Sequence, residues 1–579
     1  MSKSFRWYWG VLLLLLLLTR LSALNAALLT PDEAHSALQA LAVVEERQWP
    51  LSPTSPLLLN GNSLLFTLFG SGSGLARFLP ALAGILLAVT PWLWRKMLPV
   101  SERDGLPPAF SAYSAIVLLL LSPIMLFAAR QVNAATLGTL GGVLVITALF
   151  TMSRDGEDRL AAWLLGTGLA IGLVGGAAFY DVFISGVLAW AIWHWVEGRA
   201  LTFSRECRRA AGLGLLAALL ISLGLGWRWN GWAGPVESLV IWLREWQAAV
   251  TPVNPLLLFL YEPLSLLLAA IGLGMAIRQS QSQLLALAAW AVLAGLLVAL
   301  RPGATPIAFL APFVPLALLG GWAAQGFFPS RRFADHAWVE WVHAALGIVL
   351  WFFIALVLLR QAGAPQYANG LELPLVALVL VIQGLIAAGF ATLVGMRRAL
   401  TGLVWGLVLV SCLLQVGFGA RLAFGHPGNP AEPLVTTGVS DDVRNLRRGI
   451  EDLRIAHGIG PDELILTVVD SDPNLADTWA VLRWALRPTS VRTVSAWPAD
   501  QPEMVLTLET VTPPAETHLA YRGMAFGVLH HNNGGISGCE AGVFPPVCSR
   551  PLAWYFYRRA PVAAQVTRVI LWTYLPDTP

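Results

Sequence analysis

Apolar runs of roughly 18–25 residues, separated by short polar breaks, dominate the first 420 positions of the chain. Runs of this length are long enough to cross a bilayer as helices. They fall at about 7–24, 75–94, 109–128, 134–152, 160–177, 178–197, 210–227, 254–277, 283–300, 305–325, 341–360, 373–395 and 399–420, which predicts about thirteen spans. The stretch 160–197 is continuous and too long for one crossing, and Gly175–Gly176 is the natural place to divide it. In the first run Lys3 and Arg6 precede the apolar 11–18 segment, a pattern shared by signal peptides and first spans. Trp7, Tyr8 and Trp9 form an interfacial belt, and 21–29 offers no clear cleavage boundary, so a retained helix is expected.

From about Arg421 the pattern changes. Ser440 is placed to cap a helix in which Asp441 and Asp442 favour the positive end. Val443, Leu446, Ile450 and Leu453 then share one face, and the 458–461 segment, Gly to Pro, stops the helix. Residues 464–469 read as a buried strand, 475–487 as a helix, and 491–497, 504–508 and 566–575 as further strands. Strands alternating with helices predict a small α/β domain. The organisation expected is a helical transmembrane domain over 1–420, with a first outer loop at 25–74, followed by an α/β domain over 421–579.

Composition agrees with the pattern. The chain of 579 residues is 56% hydrophobic and only 12% charged, half the value of about 25% found in soluble domains. This excludes an ordinary soluble enzyme. With 37 basic and 34 acidic residues the charge is too balanced for a nucleic-acid partner. Short loops predicted on one side of the membrane, among them those holding Lys96, Arg209 and Arg398, carry roughly sixteen Lys and Arg against eight on the other. That asymmetry places the N-terminus in the cytoplasm, and an odd number of spans then places the tail outside the cytoplasmic membrane.

Polar residues near the outer span ends are few and therefore informative. The first outer loop opens with Thr30-Pro31-Asp32-Glu33-Ala34-His35. Adjacent carboxylates there suit metal binding or acceptance of a proton from an attacking hydroxyl. A helix start explains the same residues, with Thr30 as cap, Pro31 in the first position and both acids favouring the positive end. The two readings are compatible. Arg130 suits either a lipid phosphate or an interfacial snorkelling role. Asp181 and Glu262 lie at outer span ends, as substrate contacts or as hydrogen-bond acceptors inside the bundle, and Arg77 stands where an interfacial anchor is expected. His530 and His531 read as surface histidines. Cys539 and Cys548 close a short loop on the oxidising side, as a disulfide or as two free thiols, whereas Cys207 and Cys412 read as isolated thiols.

The order of these features resembles a family. A first span, an Asp32-Glu33 pair, a long outer loop and then 77–84, Arg-Phe-Leu-Pro-Ala-Leu-Ala-Gly, entering the next span is similar to the GT-C glycosyltransferases. The likeness is greatest to the dolichyl-phosphate-mannose–protein mannosyltransferase-like branch, especially its prokaryotic flippase-activity-associated subfamily. Tyr261-Glu262-Pro263-Leu264, Glu432-Pro433-Leu434-Val435 and, more loosely, Trp484-Ala485-Leu486-Arg487 extend it. The resemblance implies a GT-C-like bundle that takes sugar from a polyprenyl-phosphate donor at the outer face. It implies Asp32 as catalytic base or ligand of a divalent cation (Mg or Mn), with Glu33 in support. Arg130, Asp181, Glu262 and Arg77 become candidate substrate contacts, and membrane lipids and complex subunits candidate partners.

The sequence also departs from the family. Where an acid is expected after Arg130, it has Ala134-Ala135. Thr54-Ser55-Pro56 lacks a His, Arg301-Pro302-Gly303 replaces a Lys-containing loop, and Tyr180-Asp181 keeps one acid of an expected pair. These losses make a catalytically inactive GT-C-derived subunit or lipid-handling scaffold the alternative.

Overall fold

The computed structural model describes residues 3–46, 50, 53–99, 109–153, 158–198, 204–226, 228–248, 255–327, 337–363, 371–425, 427–429, 432–456, 458, 460, 464–470, 475–514, 520–531, 555–556 and 565–574. Cys539 and Cys548 lie outside them.

Among the described residues, eight helices are long and apolar enough to cross a membrane, or nine if the bent pair Phe110–Leu121 and Pro123–Ala129 counts as one crossing. This is a multi-pass membrane protein. The count is below the thirteen apolar runs, for local reasons. Glu262-Pro263 divides the 254–277 run into Leu256–Tyr261 and Pro263–Arg278, because proline lacks the N–H that would continue the first helix. The helix Arg205–Ser222 carries Arg205, Glu206, Arg208 and Arg209 in its opening turns and is amphipathic rather than uniformly apolar. The first run forms the helix Lys3–Leu21, whose apolar part Trp7–Leu21 falls short of a full crossing.

The 160–197 stretch does break where the two glycines stand, between helices Asp158–Gly175 and Ala178–Val196. Gly176 has φ +120°, and a Cβ there would lie 2.7 Å from that of Ala134. Glycine meets both demands. The 66° bend at Ser122-Pro123 is also built from the sequence. The Ser122 hydroxyl accepts from the Met125 amide at 3.1 Å and donates to buried Glu262 at 2.5 Å.

Beyond Gly425 the chain forms a six-stranded mixed sheet. Its strands are β1 (Thr437–Val439), β2 (Ile465–Val469), β3 (Ser490–Val494), β4 (Met504–Leu508), β5 (Tyr521–His531) and β6 (Gln565–Tyr574), in the spatial order β1-β5-β6-β4-β2-β3. β2 runs parallel to β3 and β4, and the remaining pairs are antiparallel. All five residues of β4 are buried, as expected for a central strand covered on both faces. The helix Asp442–Ala456 buries Val443, Leu446 and Ile450, and the Ser440 hydroxyl accepts from the Asp442 amide at 3.2 Å.

The sheet domain seats on the loop at 25–74. His35 and Asp477 pair at 3.0 Å, joining the helices Pro31–Glu45 and Ala476–Ala485. Trp484 donates to the Ser73 hydroxyl at 3.0 Å, and Arg487 stacks 4.3 Å above the Trp484 ring while reaching Ser71. Arg444 donates to the Ala26 carbonyl. The aromatic-Leu-Arg segment is thus a clamp between the two parts.

Candidate active site

The segment between the Lys3–Leu21 helix and the Pro31–Glu45 helix is held by buried arginines. Arg77 spends its whole fork there: Nη1 donates to the Leu24 and Ala27 carbonyls and Nη2 to that of Leu28, each at 2.9 Å. Its Nε and Nη2 also donate to Glu33 at 2.8 Å. Glu33 accepts further from the Thr30 amide at 2.9 Å and the Val132 amide at 2.7 Å. The pair is 2–3% exposed and fully satisfied. Glu33 therefore organises the loop, and Arg77 is a buried linchpin rather than an interfacial anchor.

Asp32, the adjacent residue, is exposed and lines a cavity of about 360 Å³ together with Thr54, Ala135, Glu245, Arg301 and Asp477. Partial desolvation, then the negative charge of Asp477, hold its carboxyl above the ordinary aspartate range; His35 works against them. Both residues where an acid is missing, Ala134 and Ala135, line this same cavity.

A second cavity of about 740 Å³ is lined by Arg77, Arg130, Phe424, Arg444 and His530, and shares Thr30, Glu33 and Gln131 with the first. His530, expected on the surface, thus faces a cavity, while His531 contacts the Thr567 hydroxyl at 3.2 Å. Arg130 donates to the Thr19, Ser22 and Ala23 carbonyls at 3.0, 2.7 and 3.3 Å and lies 4.4 Å over the Phe424 ring. Fully buried Arg20 donates to the Leu119 carbonyl at 2.9 Å. Arg77 is balanced by Glu33, and Arg444 lies 3.7 Å from Asp441. Neither Arg20 nor Arg130 has a carboxylate partner among the described residues. Among the residues lining the larger cavity, Arg77, Arg130 and Arg444 face Glu33 and Asp441, a surplus of one positive charge that favours an anion.

Asp181 and Glu262 line neither cavity, and the geometry gives no support to a substrate contact for either. Asp181 is fully buried, takes a bidentate pair from Arg301 at 2.6 and 2.8 Å and accepts from Trp242 at 2.8 Å. Two of the sequence departures, the retained acid at 181 and the Arg at 301, are thus partners. Glu262 accepts from Ser122, the Ile124 amide, Ser265 and Gln415. Its neighbour Tyr261 donates to Glu432, so the Tyr-Glu-Pro-Leu and Glu-Pro-Leu-Val segments meet where bundle joins tail. Leu434 and Val435 of the latter continue into the wall of the Asp32 cavity. Glu245 escaped the sequence reading altogether. It ends the helix Gly234–Glu245 between spans, and nothing local marks it as paired with a residue 56 positions later.

Among the described residues no group of three or more His, Cys, Asp or Glu is placed to hold a metal ion. Cys207 and Cys412 are free thiols.

No family model matches the sequence, and a search of curated proteins finds no match. Solved structures do match in fold. ArnT from Cupriavidus metallidurans bound to undecaprenyl phosphate aligns with a TM-score of 0.51 at 15% identity, covering 93% of this chain and 100% of that one. The apo state of the same protein gives 0.50 at 16% identity, over 90% and 95%. The archaeal oligosaccharyltransferase AglB from Archaeoglobus fulgidus aligns at 0.44 and 10% identity, over 88% and 70%. The chain has the fold of the GT-C superfamily, the one its motifs resemble. At 15–16% identity the likeness is one of fold.

Proposed function

We propose that this chain is a membrane glycosyltransferase that takes sugar from a polyprenyl-phosphate donor at the outer face of the cytoplasmic membrane. One observation carries the reading: a cavity with an arginine that has no carboxylate partner among the described residues abuts, across Thr30, Glu33 and Gln131, a cavity holding an exposed carboxylate. The first suits a lipid phosphate, and the binding of undecaprenyl phosphate by a protein of the same fold favours that occupant. The second suits the donor's sugar together with the acceptor. The acceptor's hydroxyl oxygen forms a bond to the anomeric carbon and yields its proton to Asp32. The bond from that carbon to the phosphate oxygen breaks, and its electron pair leaves with the polyprenyl phosphate. Arg130 faces the leaving charge.

Arg130→Ala should weaken binding of undecaprenyl phosphate by about tenfold or more, since a charge-assisted hydrogen bond is worth about 1.5–3 kcal/mol. Isothermal titration of the purified protein in nanodiscs measures it. Unchanged affinity would remove Arg130 from the donor site.

The sidedness rests on the loop charges. Single cysteines at Lys96, Arg209 and Arg398 should resist an impermeant maleimide on intact cells, whereas cysteines in the sheet domain should label at once. Tail positions that label only after permeabilisation would reverse the orientation and move the site to the cytoplasm.

The alanines at 134 and 135 favour a second reading, an inactive subunit that retains the lipid site. Purified protein that binds undecaprenyl phosphate yet transfers nothing from undecaprenyl-phosphate hexoses or pentoses would establish it.

A further inference from the structure

The Asp32 cavity has lost the carboxylate expected at its Ala134–Ala135 wall, yet another reaches it from a different element. Glu245 is partly exposed and lies with Oε2 3.1 Å from Arg301 Nε. The Arg301 fork is itself fixed by buried Asp181, which Trp242 of the Glu245 helix also holds. The backbone is pinned as well. The Gly303 amide donates to the Glu245 carbonyl at 2.8 Å, and a Cβ on Gly303 would lie 2.9 Å from Glu245 Cα and 3.0 Å from its Cβ. Only glycine permits that approach. Three separate stretches of chain, at 181, 242–245 and 301–303, thus converge to hold one carboxylate at the wall of the Asp32 cavity.

We propose that Glu245 replaces the missing second acid, contacting the donor sugar and stabilising positive charge that develops at its anomeric carbon. The inference rests on the glycosyltransferase reading. Asp32 takes the acceptor proton; Glu245 takes none, and acts as an ionised carboxylate that accepts hydrogen bonds from sugar hydroxyls.

The groups facing it are Arg301, Asp181 behind that guanidinium, Asp32 and His35 from the first loop helix, and Asp477 from the tail. Burial raises Glu245 to about 7, with Arg301 opposing and Asp181 adding to the rise. A group that must be ionised and titrates there gives a rate that climbs as pH rises through about 7.

The test is transfer from undecaprenyl-phosphate hexoses and pentoses by the full chain in nanodiscs. Glu245→Gln should lower kcat by about tenfold to a hundredfold with little change in donor KM, since the contact strengthens only in the transition state. It should also abolish the limb near pH 7. Ala135→Asp in the Glu245→Gln background should restore part of kcat, because it returns a carboxylate to the same cavity at the first position of the helix Ala135–Met152, where negative charge is favoured. Full activity of Glu245→Gln with an unaltered pH profile would overturn the inference while the wild-type turnover upheld the enzyme reading. Lost activity with neither pH change nor rescue would also overturn it, leaving Glu245 as a support for Arg301. A wild-type protein without transfer would sink both.

Discussion

Replacing Asp32 by Asn is expected to reduce transfer from a polyprenyl-phosphate sugar by about a hundredfold or more, the range seen when a general base is lost. Amide and carboxylate are nearly isosteric, and the loop is held by Glu33 and Arg77, so the fold should survive. The carboxyl is already raised by desolvation and by Asp477. The proton-accepting form of wild type is therefore lost on acidification at a higher pH than for an ordinary aspartate, and activity should fall with it. The Asn variant should show low activity without that Asp32 titration. A variant that assembles normally and retains wild-type turnover would remove Asp32 from the chemistry.

Arg77→Met should damage the fold rather than the reaction. The substitution leaves Glu33 buried with its charge uncompensated and strips partners from the Leu24, Ala27 and Leu28 carbonyls. Breaking a buried pair from one side costs about 3–5 kcal/mol. Unfolding in mixed micelles checks this. The double variant Arg77→Met with Glu33→Gln should be less destabilised than the sum of the single changes, because no buried carboxylate is stranded. Additive losses would show that the two side chains contribute separately.

These two residues show how much the sequence discloses. The helical bundle is legible because apolar length is a local property, and the break at Gly175–Gly176 because glycine tolerates φ +120°. Helices and strands of the tail follow from period, with two exceptions. β1 spans three residues, and β5 contains Gly523 and Gly527 amid polar ends, so neither alternates cleanly. Asp32, Glu33, Arg77 and Arg130 attract notice individually, since charge is scarce beside a membrane. Their division of labour does not. That Glu33 is consumed while Asp32 is free depends on Arg77, 44 positions away. The union of Asp181 with Arg301 spans 120 positions, and Glu245 acquires meaning only through it. Short motifs mark places in the chain; which of them are braces and which face a cavity is decided by long-range packing.

The central claim is that lipid phosphate and the Asp32 carboxylate serve one reaction from adjoining cavities. The most direct measurement is a structure determined with undecaprenyl phosphate bound. The account predicts phosphate density in the larger cavity within hydrogen-bond distance of Arg130, opening toward Asp32 past Gln131. Lipid found only along the outer helices, with the Arg130 cavity empty at saturating concentration, would contradict it.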